Sequence, residues 1–143
     1  MRQWVCGVGI ALAVGGCTNG GTSLPASAAT TTTPTPTATT ETFTGTVSVG
    51  GYDVHPFTVT ATTGNLSVTL TAAGPPSTIF MGLGVGTYSG STCSLLSNGY
   101  LTTQAGTVAQ LSGTIGAGAY CLMVYDVGNQ SAPVTYTALV THS

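Results

Sequence analysis

From Phe43 onward the chain alternates apolar and small polar residues with a period of two, in one short run after another. Phe43, Gly45, Val47 and Val49 alternate with Thr44, Thr46 and Ser48, and Phe57, Val59 and Ala61 with Thr58, Thr60 and Thr62. Leu66, Val68 and Leu70 alternate with Ser67, Thr69 and Thr71. Ile79, Met81, Leu83 and Val85 alternate with Phe80 and two glycines, and later runs fill 108–115, 119–127 and 134–141. Successive side chains of a strand point to opposite faces, so this period marks strands with one buried side. Turn signals separate the runs: Gly50-Gly51, Gly64-Asn65, Gly74-Pro75-Pro76, Ser97-Asn98-Gly99, Gly116 to Gly118 and Gly128-Asn129. No window carries a helical stripe. The pattern predicts an all-β fold, an antiparallel two-sheet sandwich of about 7–8 strands over residues 43–143.

The same alternation predicts the core. Phe43, Val47, Phe57, Val59, Leu66, Val68, Leu70, Met81, Leu83, Leu111 and Ile115 should face inward. The run from Tyr120 to Tyr125 is apolar on both faces, which marks a central strand. Tyr120, Leu122 and Val124 belong to its core side, and the opposite set should lie under a loop or a bridge.

Residues 18–42 obey different rules. The stretch TNGGTSLPASAATTTTPTPTATTET holds one large aliphatic residue, Leu24, too little apolar surface to offset the entropy of ordering. Thr33-Pro34-Thr35-Pro36 favours extended polyproline-like conformations. Some 25 residues at about 3.1 Å each reach roughly 75 Å, the span of a semi-stiff stalk.

Ahead of the stalk, Met1-Arg2 is a minimal positive start and Trp4 to Val14 an apolar stretch. As a helix that stretch rises only about 16 Å against roughly 30 Å of hydrocarbon, which suits a signal peptide over residues 1–16. Val14-Gly15-Gly16-Cys17 resembles the bacterial lipobox, an aliphatic residue and two small ones before an invariant cysteine. The resemblance implies attachment of diacylglycerol to the Cys17 thiol, cleavage before Cys17, and often acylation of the new amino terminus, with palmitate as an expected chain. Two or more chains give stable anchoring, since each buried methylene contributes about 0.8 kcal/mol. The expected location is the cell envelope, with the membrane as partner. Thr18 after the cysteine resembles the pattern sorted to the outer membrane. The alternative is an ordinary signal peptide in which Cys17 is incidental.

Four cysteines then resolve. Cys6 leaves with the signal peptide and Cys17 takes the lipid. Cys93 and Cys121 remain as an even pair in an oxidising compartment, which predicts a disulfide. A redox or metal pair would want a C-x-x-C spacing or a nearby His or carboxylate, which Cys93 lacks.

Residues 42–141 resemble the bacterial pre-peptidase C-terminal domain. The resemblance lies in Phe43-Thr44-Gly45-Thr46-Val47 with His55-Pro56-Phe57-Thr58-Val59, in Gly64-Asn65-Leu66-Ser67-Val68-Thr69-Leu70, and in Gly118-Ala119-Tyr120-Cys121-Leu122-Met123-Val124 with Val134-Thr135-Tyr136-Thr137-Ala138. It implies a jelly-roll-like sandwich that serves as an accessory module to secreted peptidases and other exoenzymes. Some relatives hold calcium with clustered carboxylates. Here Glu41, Asp53 and Asp126 are widely spaced, so no metal is expected.

Charge narrows the function. Only 3% of residues are charged, against roughly 25% in ordinary domains, and Arg2 is the one strong base. Without cations to displace phosphate counterions, nucleic-acid binding is excluded. Catalysis has little support, and no cofactor is expected. Asp53 and His55 could share a strand face, but no nucleophile elbow of the G-x-S-x-G kind occurs. Beside the Gly-Gly turn they read as a loop with local hydrogen bonds, and His142 reads as exposed. Gly82, Gly84 and Gly86 read as sites of close strand packing, since no helix or lysine follows to make a phosphate loop.

Two classes remain. One is a non-catalytic interaction or accessory module with a protein or envelope partner, the reading preferred on sequence alone. The other is a carbohydrate-binding module. The only tryptophan, Trp4, is lost with the signal peptide, which leaves Tyr52, Tyr88, Tyr100 and Tyr125 as candidate sugar platforms. Three of them on one solvent-facing surface argue for sugar; scattered rings argue against it.

Overall fold

The computed structural model describes residues 35–143. The lipobox, Cys6, Cys17 and the stalk through residue 34 lie outside the described residues.

Eight strands follow one another: β1 (Thr39–Val47), β2 (Tyr52–Val59), β3 (Gly64–Gly74), β4 (Met81–Ser89), β5 (Thr92–Thr103), β6 (Leu111–Ile115), β7 (Gly118–Tyr125) and β8 (Val134–His142). They form two four-stranded sheets in the orders β1-β8-β3-β6 and β2-β7-β4-β5. Every pairing is antiparallel. Only β4 and β5 are both consecutive and paired; every other connection passes from one sheet to the other. Eight strands wound between two sheets in this way make a jelly roll.

Strand β1 starts ahead of the Phe43 boundary expected from the alternation. Thr39 to Thr42 pair with Leu139 to His142, so the last residues assigned to the stalk belong to the sheet. The β-branched Thr39, Thr40 and Thr42 suit a pleated strand, and β8 supplies the ladder that composition could not reveal.

The core lies between the sheets. Val47, Phe57, Val59, Val68, Leu70, Met81, Leu83, Ile115, Leu122 and Val124 are buried there, all on the expected face. Phe43, Leu66, Leu111 and Tyr120 pack against this cluster but stay partly exposed. Their strands lie at or near sheet margins, where the opposing sheet covers them incompletely. Val134, Tyr136, Ala138 and Val140 complete the core from β8, a central strand. Both sheets and this whole core fall within residues 39–142, so the domain closes on its own interior.

Cys93 on β5 and Cys121 on β7 are joined, with Cα atoms 5.8 Å apart. Strand β4 runs between them, and two ladder spacings would put them about 9.6 Å apart. Gly86 permits the shortening. A Cβ there would overlap the carbonyl of Ser94, so β5 can fold down across β4 only where β4 has no side chain. Cys121 points away from the core yet is fully buried, covered by the bridge as the two-faced apolar run required. The Ser97-Asn98-Gly99 signal is not a turn between strands. It belongs to an excursion within β5, where Leu96 to Gly99 stand opposite Val85 alone.

Candidate ligand-binding face

The two outer faces of the sandwich differ in chemistry. On the β1-β8-β3-β6 sheet, Thr40, Thr141, Ser67 and Ser112 form one row across all four strands, and threonines dominate the rows beyond. On the β2-β7-β4-β5 sheet the outward positions of β4 up to Gly86 are glycines, flanked by tyrosine rings and by apolar side chains such as Val54 and Met123. Because Phe57, Leu122, Leu83 and Leu101 take the inward parity, Tyr52, Tyr125, Gly82, Gly84 and Tyr100 take the outward one.

Register brings three of the four candidate tyrosines together. Tyr52 stands directly opposite Tyr125, Tyr125 directly opposite Gly82, and Gly84 directly opposite Tyr100. The set spans all four strands, about 14 Å at the usual ladder spacing. Tyr52 is 70% and Tyr100 53% exposed, while Tyr125 is half-buried. Tyr88 shares the outward parity but sits at the far end of β4, opposite Cys93 and beyond the bridge. It stands apart from the other three.

The glycines shape the floor. Carbons Cδ2, Cε2 and Cζ of Tyr125 occupy the space that a side chain at position 82 would need. That ring therefore lies over the β4 backbone. A Cβ at Gly84 would come within 2.7 Å of Leu95 Cδ2 and 3.2 Å of Tyr100 Cβ. Close packing explains both glycines, as expected: the Tyr125 ring fills the space above Gly82, and the Leu95 side chain with Tyr100 Cβ fills the space above Gly84. Phe80, just before β4, is 48% exposed and adds a ring that the sequence reading left out.

No charged side chain takes an outward position on this sheet. Two carboxylates adjoin these rings in sequence: Asp53 turns inward to Tyr136 and His55, and the oxygens of Asp126 are engaged by backbone amides. Oδ2 accepts from the Gly50 amide at 2.7 Å; Oδ1 accepts from the amides of Gly128, Asn129 and Gln130 at 2.8, 3.2 and 3.3 Å. The Gly50 amide, chiefly, holds this carboxyl below its ordinary range; desolvation opposes it, and the amides of Gly128, Asn129 and Gln130 add to the lowering. Gly50 and Gly128 adopt φ of 68° and 89°, which the two turns require. Asp126 thus ties the β1–β2 turn to the β7–β8 loop, and so fixes the ends of the strands that carry Tyr52 and Tyr125.

The titratable residues singled out in the sequence lie elsewhere. Asp53 and His55 are on strand β2, not in a loop, and face inward with Phe57. Tyr136 donates to Asp53 Oδ2 at 2.8 Å, and His55 Nε2 lies 2.7 Å from the same phenol oxygen. With the phenol proton engaged by Asp53, the imidazole N–H donates to Oη. Phe43 stacks on the His55 ring at 4.9 Å. Gly45 leaves room for this group, since a Cβ there would overlap Asp53 Oδ2. Burial first, and then the Asp53 carboxylate, push the Tyr136 phenol far above its ordinary value. Tyr136 is 3% exposed while the His55 and Asp53 side chains keep 24% and 32% of their surface exposed, so this trio holds the seam between β8 and β2 at its partly open margin.

His142 is buried, not exposed. It sits 2.9 Å from Glu41 Oε1 and stacks on Phe57 at 5.5 Å. The pairing of β1 with β8 draws the chain's last residues inside, which nearness to the C-terminus could not show. Among the described residues no group of three or more His, Cys, Asp or Glu side chains converges as a metal would require.

No protein-family model, no curated protein and no solved structure matches this chain. The face must be read from its own chemistry.

Two of the six tyrosines were not singled out, and both use their hydroxyls inside the fold, Tyr136 as above and Tyr120 toward the Gly116 carbonyl at 3.1 Å. The sequence signal that separates the two groups is parity. Tyr136 shares the phase of Val134 and Val140 in β8, whereas Tyr125 alternates against Val124.

Proposed function

We propose that this chain is an envelope lipoprotein, anchored through Cys17, whose non-catalytic β-sandwich binds carbohydrate on the outer face of the β2-β7-β4-β5 sheet. The observation that carries the reading is the meeting of Tyr52, Tyr125 and Tyr100 on one solvent-facing, charge-free surface floored by Gly82 and Gly84. A tyrosine offers a flat apolar face to the C–H side of a sugar ring and a hydroxyl to its polar edge, at low entropy cost. Asp53, His55 and Tyr136 spend their polar atoms on one another across the β2–β8 seam, which favours a structural role for them. Thr18 behind the lipidated cysteine favours the outer membrane, and the likeness to pre-peptidase domains favours an accessory role beside a secreted enzyme.

Position supports a tethered role. The stalk enters at Thr39, and β1 then runs about 27 Å before the turn that leads to Tyr52. The rings therefore lie at the end of the sandwich opposite Thr39.

A polysaccharide pull-down with residues 35–143 tests the proposal. Retention on at least one polysaccharide, lost in Tyr52→Ala and Tyr100→Ala variants that melt as the parent does, is the expected result. Equal retention of parent and variants would place binding elsewhere and overturn it.

A further inference from the structure

Resting on that reading, we infer that the ligand is an uncharged polysaccharide and that Gly82 is a positioning residue for it, holding the Tyr125 ring flat as the central platform.

Charge decides the class. A uronate or sulfated glycan needs cations where it lies, because burying an anion against an apolar surface without a partner is costly. The described domain has no lysine or arginine. Its two histidines are on inward positions of the seam, held by Asp53, Tyr136 and Glu41. Cation bridging fails as well, since Asp126 on the rim already accepts from Gly50 and three loop amides. A neutral chain loses nothing on this surface. The face is also open and shallow, so it suits the side of an extended polymer.

Geometry assigns Gly82. Tyr52 and Tyr100 stand exposed at the two margins, and a chain crossing from one to the other must pass over β7 and β4. Tyr125 lies on that path, with Cδ2, Cε2 and Cζ seated where a side chain at position 82 would be. Any Cβ there must lift the ring off the sheet and block the crossing. Gly82 thus acts through Tyr125 and need not touch the ligand.

The test is native affinity electrophoresis of residues 35–143 in gels holding hydroxyethylcellulose, soluble starch, galactomannan or alginate. Parent, Gly82→Ala, Tyr125→Ala and the double variant are compared, with a thermal melt of each. The expected result is retardation by at least one neutral polymer and none by alginate. Gly82→Ala should weaken binding about tenfold, the loss of one stacking contact. Added to Tyr125→Ala it should cost nothing more, because the ring it displaces is gone. Retardation by alginate equal to that by the neutral polymers overturns the inference and leaves carbohydrate binding standing. Retardation by none of the four overturns both. Parental binding by Gly82→Ala, or additive losses in the double variant, removes the positioning role. If Gly82→Ala does not fold, Tyr125→Ala alone decides whether the ring is the platform, and parental binding there sinks the inference.

Discussion

Tyr125 covers Gly82. The ring rests on the one stretch of β4 whose outward positions are all glycine, and the cross-strand register sets Tyr52 beside it. An exposed phenol on a strand normally stands off the sheet and samples several rotamers. Seated over Gly82, this one loses that freedom during folding and has little left to lose on binding. Opposite faces of one strand thus divide the labour, with Met81, Leu83 and Val85 closing the core beneath the glycines.

The Cys93–Cys121 bridge should contribute strongly to stability. It spans 28 residues of sequence and holds edge strand β5 to central strand β7. In the chain-entropy account such a loop contributes about 3.6 kcal/mol. Replacing both cysteines by serine should lower the denaturation free energy by roughly 3 to 4 kcal/mol in urea titrations. A change below about 1 kcal/mol would show that β5 is held by its ladder alone.

Much of this fold was legible in the sequence, and the losses have a common cause. Alternation reports which residues share a face, so the inward set from Val47 to Val124 came through. It does not report which strands are neighbours. Hence the central place of β8, the start of β1 at Thr39 and the burial of His142 are not legible in it, because they depend on the pairing of β8 with β1 and β3. The site shows the same division. Tyr52, Tyr100 and Tyr125 were legible as candidates, but their meeting depends on register across Gly82 and Gly84. Tyr88 fell away for a reason of the same kind, its place beyond the bridge.

Tyr136 should make the domain sensitive to base. Its phenol keeps its proton in the folded state well above the ordinary value of 10.0, because of burial and the Asp53 carboxylate. In the unfolded chain it ionises near that ordinary value. A raised folded value contributes stability that is complete below about pH 10 and is lost as pH rises toward the folded value. Melting temperatures should therefore fall above about pH 10, and Tyr136→Phe should flatten that fall while lowering stability at neutral pH. An equally steep alkaline limb in the variant would assign the effect to other tyrosines.

Membrane attachment should depend on one sulfur atom. Cys17→Ser in the full-length chain should move the protein from the membrane to the soluble fraction and abolish labelling by an alkyne-bearing palmitate analogue. Among residues 35–143 no helix is long and apolar enough to cross a membrane. A parent chain that never labels, with a variant that stays membrane-bound, would refute the lipid anchor.

Asp126 should impose the complementary acid limit, and it should do so at the end of the domain that carries the rings. Its carboxylate accepts from Gly50 and from three amides of the β7–β8 loop, which holds its value below the usual 3.8. A lowered folded value contributes stability that is present above the unfolded value and lost as pH falls through the folded one. The window therefore opens below about pH 4. Protonation weakens the side-chain half of the joint between the Gly50 turn and the loop, leaving the Asp126 N–H to Gly51 carbonyl bond, and Tyr52 and Tyr125 flank that joint. Asp126→Asn should show a flatter acid limb in melts between about pH 2 and pH 6. It should also weaken polysaccharide retention at neutral pH, because the amide keeps only one oxygen for four donors. Loss of retention without any change in the acid limb would mean that the joint orients the rings but adds nothing to stability.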